Sequence, residues 1–204
     1  MLVNGLPAAG KTTLARSLAR ELGLPLFSKD AVKETLADTL APLRPADATD
    51  RRWSSYLGRA SGELLWTLLA EARGSAVLES PWYTTMRPLV RAGMARAGVD
   101  PADTVEVWCE VPTALARERF LARVPERHPV HPERPGGFEG EWSVRAETAR
   151  PLDLGGEVVV VDTIRPVDVG ALAEHVGGAP SEGAPPVRAQ RRRSTPSAVA
   201  ASAT

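Results

Sequence analysis

The sequence contains a single cysteine, no long apolar run and little lysine. Cys109 stands alone among 204 residues, so an internal disulfide is impossible and a reducing compartment is expected. No stretch reaches the roughly 18 apolar residues of a membrane span, and the N-terminus lacks the basic start, apolar stretch and cleavage site of a signal peptide. These absences exclude a secreted disulfide scaffold and a transporter, and we expect a cytoplasmic protein.

The charges of the chain balance. Its 25 Lys and Arg residues match 25 Asp and Glu residues, so no overall field attracts nucleic acid, although a local basic groove is not excluded. Lysine occurs only at Lys11, Lys29 and Lys33. A composition of 43% hydrophobic and 25% charged residues is ordinary for one soluble domain of this length.

Short apolar runs alternate with amphipathic segments along most of the chain. The runs predict strands at 2–3, 24–27, 76–78, 104–109 and 157–161. Periodicity bounded by Gly or Pro predicts helices at 11–22, 31–40, 47–73, 85–97, 113–124 and 166–176, and 125–156 is expected to be irregular. The alternation indicates one α/β domain over 1–176, with a five-stranded, mostly parallel sheet covered by helices on both faces.

Both ends of the chain differ from this pattern. The first predicted strand is short for a buried position, which leaves an upstream start open. From Gly177 the composition shifts to Gly, Ala, Pro, Ser and Arg, so 177–204 is expected to be a disordered tail. The arginines at 191–193 are interpreted as a solvated charge run.

The strongest motif lies between the first strand and the first helix. Residues 5–12 match G-x-x-x-x-G-K-[ST], the Walker A phosphate loop. Glycines let the backbone wrap around phosphate oxygens, and the helix N-terminus adds amide donors. Lys11 would reach the β- and γ-phosphates, and Thr12 would ligate Mg²⁺. The alternative is a chance glycine-rich turn. The predicted nucleotide-binding residues are Gly5, Leu6, Pro7, Ala8, Ala9, Gly10, Lys11, Thr12 and Thr13.

A second polar group follows the second strand. Because the carboxyl ends of parallel strands share one crevice, Asp30 is expected near the γ-phosphate, where it would accept a proton from an attacking hydroxyl. Lys33, one helical turn later, would hold an acidic group of the acceptor. The alternative is that Ser28 or Asp30 only caps the next helix.

Residues 5–13 together with Ser28-Lys29-Asp30 resemble the P-loop NTPase superfamily, and within it the polynucleotide-kinase-like and zeta-toxin-like ATP-dependent phosphotransferases. Chloramphenicol phosphotransferase and gluconate kinase are relatives. The resemblance spans about residues 1–176 and is most specific at the phosphate loop. It implies a three-layer sandwich, ATP and Mg²⁺ as cofactors, a general-base aspartate at Asp30 and a basic residue at Lys33.

The resemblance also implies a helical lid, at about 113–150, whose arginines close over the phosphates. Arg119 and Arg123 are four residues apart and share a helix face, whereas Arg117 points elsewhere. Arginine suits the clamping of a transferring phosphoryl group. The alternative is a solvated, salt-linked face. Pro125 argues against a continuation of this helix face to Arg127.

Two further positions concern the nucleotide and the metal. By the resemblance, Arg165 would stack on the adenine. Residues 158–162 mimic a Walker B strand, but we favour Asp162 or Thr163 as the cap of the last helix. Glu79, at the end of the third strand, would order an Mg²⁺-bound water, with a loop-capping role as the alternative.

The remaining candidates are aromatic and histidine residues. Trp82 and Tyr83 follow a strand end and would stack on an acceptor ring, whereas Trp53 and Tyr56, at helical spacing, are interpreted as core. His128 and His131 make a poor metal site, because no other ligand lies at a suitable spacing. Cys109 is interpreted as a core residue.

The sequence therefore predicts an ATP- and Mg²⁺-dependent kinase with catalytic residues Lys11, Asp30, Arg119 and Arg123. A small-molecule hydroxyl acceptor is favoured over nucleic acid, and the protein is expected to be a monomer or homodimer without membrane attachment. Two alternatives remain open: a polynucleotide 5′-hydroxyl kinase, and an ATP-binding regulatory NTPase that phosphorylates no acceptor.

Overall fold

The computed structural model describes residues 1–131 and 138–178, without the side chains of 138–141. Its centre is one sheet of five strands in the order β2-β3-β1-β4-β5. Within the described residues, every strand pair is parallel. The strands are β1 (Leu2–Gly5), β2 (Leu26–Ser28), β3 (Val77–Glu79), β4 (Glu106–Glu110) and β5 (Val158–Asp162). The α/β prediction is confirmed.

Each strand is followed by one or two helices. They are α1 (Lys11–Glu21), α2 (Lys29–Thr39), α3 (Asp50–Glu71), α4 (Arg87–Arg96), α5 (Thr113–Arg123), α6 (Phe138–Thr148) and α7 (Val169–Val176). Across the stretches of chain that are described, none of these helices has the length and apolar character needed to cross a bilayer.

The sheet separates two hydrophobic cores. Val3 of β1 packs in one core with Leu18 of α1 and Leu172 of α7. The preceding residue, Leu2, packs in the other core with Leu65 of α3 and with further residues of α3 and α4. Since neighbouring residues of a strand point to opposite faces, the chain forms the three layers that were predicted.

One helix lies where irregular structure was expected. The expectation for 125–156 is wrong, because α6 occupies Phe138–Thr148. Trp142 is buried, and its ring centroid lies 5.6 Å from that of Phe120 on α5. The helix is therefore held by a tertiary contact that no local periodicity shows. Helices α5 and α6 fall within the predicted lid, whose boundaries stay a prediction.

The last helix begins later than predicted. Asp168 caps α7 by accepting a hydrogen bond from the Ala171 amide at 3.0 Å. The interpretation of Asp162 or Thr163 as this cap is therefore wrong. Asp162 instead accepts from the Ile164 amide at 2.9 Å, within the loop after β5. The tail lies outside the described residues from position 179 onward, and its disorder stays a prediction.

A buried asparagine joins three parts of the fold just before the phosphate loop. The Asn4 amide donates to the Trp82 carbonyl at 2.9 Å and to Glu106 Oε1 at 2.7 Å. Its oxygen accepts from the amides of Gly5 and Trp82. The Glu106 carboxyl, whose pKa is raised by burial, also accepts from the Leu152 amide. This network fixes the loop after β3 against the start of the phosphate loop.

A tight contact between α3 and α4 predicts a strong stability effect. A Cβ added at Gly93 of α4 would overlap the indole of Trp66, which is buried against Trp82. Gly93→Ala should therefore lower the free energy of unfolding by about 1–3 kcal/mol. The control Gly170→Ala, in α7 with no close neighbour other than Asp168 at 3.6 Å, should be neutral or stabilising by up to about 1 kcal/mol. Urea titration measures both, and equal effects would contradict the packing argument.

Candidate active site

One large cavity of about 2200 Å³ lies at the carboxyl ends of β1, β2 and β3. In open parallel sheets this edge is where ligands bind. The cavity brings together the phosphate loop, Asp30 and Lys33 of α2, Glu79 of β3, and Arg123 of α5. Among the described residues, ten Lys or Arg and six Asp or Glu side chains line the cavity, whereas the whole chain has no net charge.

The backbone of the phosphate loop adopts φ angles that residues with a side chain rarely adopt. Gly5 has φ +146°, and a Cβ there would lie 2.7 Å from the Cys109 carbonyl oxygen. Gly10 and Ala8 also adopt positive φ, at 82° and 62°. A non-glycine residue in this region is uncommon and marks a functional turn in many proteins. The loop therefore has the tight conformation that a phosphate cradle requires.

Lys11 lies within this loop, almost fully buried. Its ammonium donates to the Leu6 carbonyl at 2.8 Å. Burial lowers its pKa, while the negative charges of Glu79 and Asp30 oppose that shift and Arg123 adds to it. A buried ammonium with one carbonyl partner is suited to anionic phosphate oxygens.

Thr12 and Glu79 form the oxygen pair that fits a hard cation. The Thr12 hydroxyl donates to Glu79 Oε1 at 3.2 Å, and the Ser28 hydroxyl donates to Glu79 Oε2 at 2.7 Å. Mg²⁺ prefers such oxygen ligands and takes few from the protein when phosphates supply the others. Among the described residues, no group of three or more His, Cys, Asp or Glu side chains is arranged to hold a metal ion, so the fit rests on this pair.

Asp30 occupies the first turn of α2 and faces the cavity. Its carboxylate has no hydrogen bond or ion pair among the residues that the structure describes. It is close enough to Lys11 and Lys29 to raise the pKa of each against the effect of burial. Ser28 precedes α2 without capping it, because its hydroxyl is bound to Glu79. The carboxylate of Asp30 is thus available to accept a substrate proton.

Lys33 is held by two residues from distant parts of the chain. Its Nζ donates to Ser54 Oγ at 2.8 Å and lies 3.5 Å from His131 Nδ1. His131 Nε2 lies 3.0 Å from Glu34 Oε1. Since an ammonium only donates, the proton of the neutral imidazole belongs on Nε2, facing Glu34. Burial lowers the pKa of His131. The Asp30 charge and the hydrogen bond to Glu34 oppose this shift, whereas the charges of Arg127 and Lys33 add to it.

The two predicted lid arginines differ in position. Arg123 lines the cavity, whereas Arg119 is half-buried and is absent from its lining. Arg165 is exposed and also outside the lining, although its loop lies beside the phosphate loop. The closeness of the two loops is seen at Gly10, where an added Cβ would lie 3.6 Å from the Cβ of Thr163.

The aromatic candidates divide between wall and core. Trp82 is only 2% exposed and packs on Trp66 with ring centroids 5.5 Å apart, although it also borders the cavity. Tyr83 is a half-buried wall residue. Trp53 packs on a small core, but Tyr56 is 40% exposed, so the interpretation of Tyr56 as a core residue is wrong.

Cys109 is buried, and burial raises the pKa of its thiol to about 12.

Several site residues were not found from the sequence. Ser54 and Glu34 had no motif around them, and His131 was considered only as a metal ligand. The spacing of Ser54, Gly58 and Gly62 at four-residue intervals placed one face of α3 on the cavity, and this was the available signal. The residues that meet this face of α3 are distant in sequence, so no local pattern could identify them.

His131 predicts an acid-sensitive stability. Its folded pKa is lowered, so the unfolded chain binds a proton more readily, and the free energy of unfolding should fall as the pH drops below about 6.5. His131→Asn should weaken this dependence, whereas His175→Asn, on α7, should retain the His131 contribution. Urea titrations at pH 5 to 8 measure the effect. Identical pH profiles for His131→Asn and wild type would contradict it.

Comparison with known proteins agrees with this geometry. A family model described as an AAA domain matches residues 1–134. No protein of curated function matches the sequence. A presumed kinase from Chloroflexus aurantiacus is 31% identical, with 86% of this chain and 95% of that chain covered and a TM-score of 0.71.

Two more distant structures share the fold alone. A sugar kinase from Janibacter sp. has 21% identity and a TM-score of 0.52, with 85% of this chain and 91% of that chain covered. Shikimate kinase from Aquifex aeolicus has 13% identity and a TM-score of 0.54, with coverages of 86% and 92%. The predicted resemblance to P-loop kinases is confirmed, and the chain belongs to the AAA domain family.

Proposed function

We propose that the protein is an ATP-dependent phosphotransferase that moves the γ-phosphate of ATP to a hydroxyl group of a small molecule. The observation that carries this proposal is the convergence of a phosphate loop, a hydroxyl–carboxylate pair and an available aspartate in one cavity. The 31% identical kinase-like structure supports the same reaction class.

The donor half of the reaction uses the phosphate loop. Loop amides and the α1 N-terminus would bind the phosphates, and Lys11 would turn from the Leu6 carbonyl to the β- and γ-phosphate oxygens. Thr12 would ligate Mg²⁺ and Glu79 would orient a water on it. Bound there, Mg²⁺ supplies neutralisation of the charge on the phosphates.

The acceptor half uses α2 and α3. The acceptor hydroxyl would donate to Asp30 and attack the γ-phosphorus in line with the bond to the β-phosphate oxygen. As the new O–P bond forms and the old one breaks, ADP leaves and the hydroxyl proton passes to Asp30. Arg123 would stabilise the charge on the transferring group. Lys33, Trp82 and Tyr83 would bind the acceptor.

The neutral net charge favours a small acceptor over a polynucleotide. An assay with labelled ATP distinguishes the small-molecule acceptor from the polynucleotide acceptor. One tube contains a metabolite pool, another contains a 5′-hydroxyl oligonucleotide, and Lys11→Ala is the blank. Label in the oligonucleotide alone would support the polynucleotide alternative. ATP hydrolysis without transfer in either tube would support the regulatory NTPase.

The aspartate predicts a selective loss of transfer. Asp30→Asn removes the proton acceptor but leaves the phosphate loop intact, so transfer to the pooled acceptor should fall by about 10²–10⁴-fold while ATP affinity is retained. Lys11→Ala should lose both. Rapid-quench assays and equilibrium titration with ATP measure the two properties. Wild-type transfer by Asp30→Asn would show that another group accepts the proton.

The position of the lid arginines predicts unequal roles. Arg123 lines the cavity and Arg119 does not, so Arg123→Ala should lower kcat by at least about tenfold and by more than Arg119→Ala does. Arg117→Ala, on another face of α5, is the matched control for loss of charge. A larger effect at Arg119 would show that the lid moves that residue onto the phosphates.

A further inference from the structure

Lys29 is a charged wall residue that the proposed reaction does not yet use. It opens α2 between Ser28 and Asp30, is half-buried, and lines the cavity. Among the described residues its ammonium has no hydrogen bond or ion pair. Burial lowers its pKa, and only the nearby Asp30 charge is identified as opposing this shift. Partial burial of a cation without a bonded partner is unfavourable and therefore needs an explanation.

The lysine stem points toward α3. A Cβ added at Gly62 would lie 3.8 Å from Lys29 Cε, and a Cβ added at Gly58 would lie 3.8 Å from Lys33 Cε. Two lysines on successive turns of α2 thus lie across two glycines on successive turns of α3. Lys11, by contrast, is turned onto the phosphate loop at the Leu6 carbonyl. Lys29 therefore belongs to the acceptor half of the cavity.

The acidic residues around this wall are bound elsewhere. Glu79 is held by the hydroxyls of Thr12 and Ser28, and Glu34 faces His131. Glu63 pairs with Arg96, and Asp50 pairs with Arg44 at 2.8 Å. Only Asp30 remains near Lys29, and the proposed reaction assigns that carboxylate to the acceptor hydroxyl.

We propose that Lys29 binds an anionic group of the acceptor, a carboxylate or a phosphate, while the acceptor's hydroxyl lies at Asp30. The inference rests on the proposed function and narrows its substrate class. Since the charge of Asp30 acts on the Lys29 ammonium and both side chains line the cavity, one compact acceptor can place its acid group at Lys29 and its hydroxyl at Asp30. Compact hydroxy acids and phosphorylated alcohols fit this site, whereas neutral sugars and unphosphorylated nucleosides do not.

Direct binding tests the site without any phosphoryl transfer. The full chain is saturated with ADP and Mg²⁺, so that the phosphate loop is occupied, and is titrated calorimetrically with malonate and with inorganic phosphate. Lys29→Met should weaken binding of at least one probe by about tenfold or more, whereas Lys29→Arg should largely restore it. Arg20→Met, an exposed position on α1 outside the cavity, is the control for loss of charge.

The nucleotide titration shows which half of the cavity Lys29 serves. Lys29→Met should bind ATP as the wild type does, in contrast to Lys11→Ala. A matching loss of ATP affinity would place Lys29 on the phosphates of ATP and overturn the proposal. Failure of both anions to bind the wild type, or equal binding by wild type and Lys29→Met, would overturn it as well.

A catalytic experiment separates this inference from the proposed function. The metabolite pool is divided on an anion exchanger before it is offered with labelled ATP. Label is expected only in acceptors from the retained, anionic fraction. Prior phosphatase treatment of that fraction abolishes labelling if the acid group is a phosphate and preserves it if it is a carboxylate. Labelling of flow-through acceptors would overturn the inference but keep the kinase, whereas labelling of neither fraction would count against the kinase itself.

Discussion

The buried amide of Asn4 is the interaction on which the site depends. It holds the first amide of the phosphate loop, both backbone groups of Trp82, and the carboxyl of Glu106. Each of these groups is buried, so loss of the Asn4 side chain leaves several polar atoms without partners at about 1–3 kcal/mol apiece. One side chain thus sets the distance between the donor loop and the wall after β3.

The active site built on this frame is electrostatically costly in the protein alone. Lys11 and Lys29 are withdrawn from water by burial, and this lowers the pKa of each ammonium group. Under the proposed function, anionic ligands would supply the missing interactions, and their binding would stabilise the folded chain. Functional sites commonly contain charged groups that lack partners until a ligand binds, at some cost to the stability of the folded chain.

Local features were predictable from the sequence, and distant pairings were not. Helix α1 and the alternation of strands with helices follow from contiguous residues, and the structure confirms these elements. The strand order β2-β3-β1-β4-β5 was not predicted, because it depends on pairings between distant segments. Helix α6 was missed because Trp142 finds its partner Phe120 across a segment with no periodic pattern. Asn4 and Glu106 are more than 100 residues apart, so no spacing rule brings them together.

The same distinction explains why the donor is easier to infer than the acceptor. The proposed phosphate loop is one continuous segment, and its own backbone amides would bind the phosphates. The acceptor wall is assembled from α2, from α3 through Ser54, and from His131 near the end of the first described segment. The orientation of the His131 imidazole depends on both Glu34 and Lys33, so a change in either residue alters the acceptor wall. Specificity can therefore diverge on this fold while the loop stays fixed.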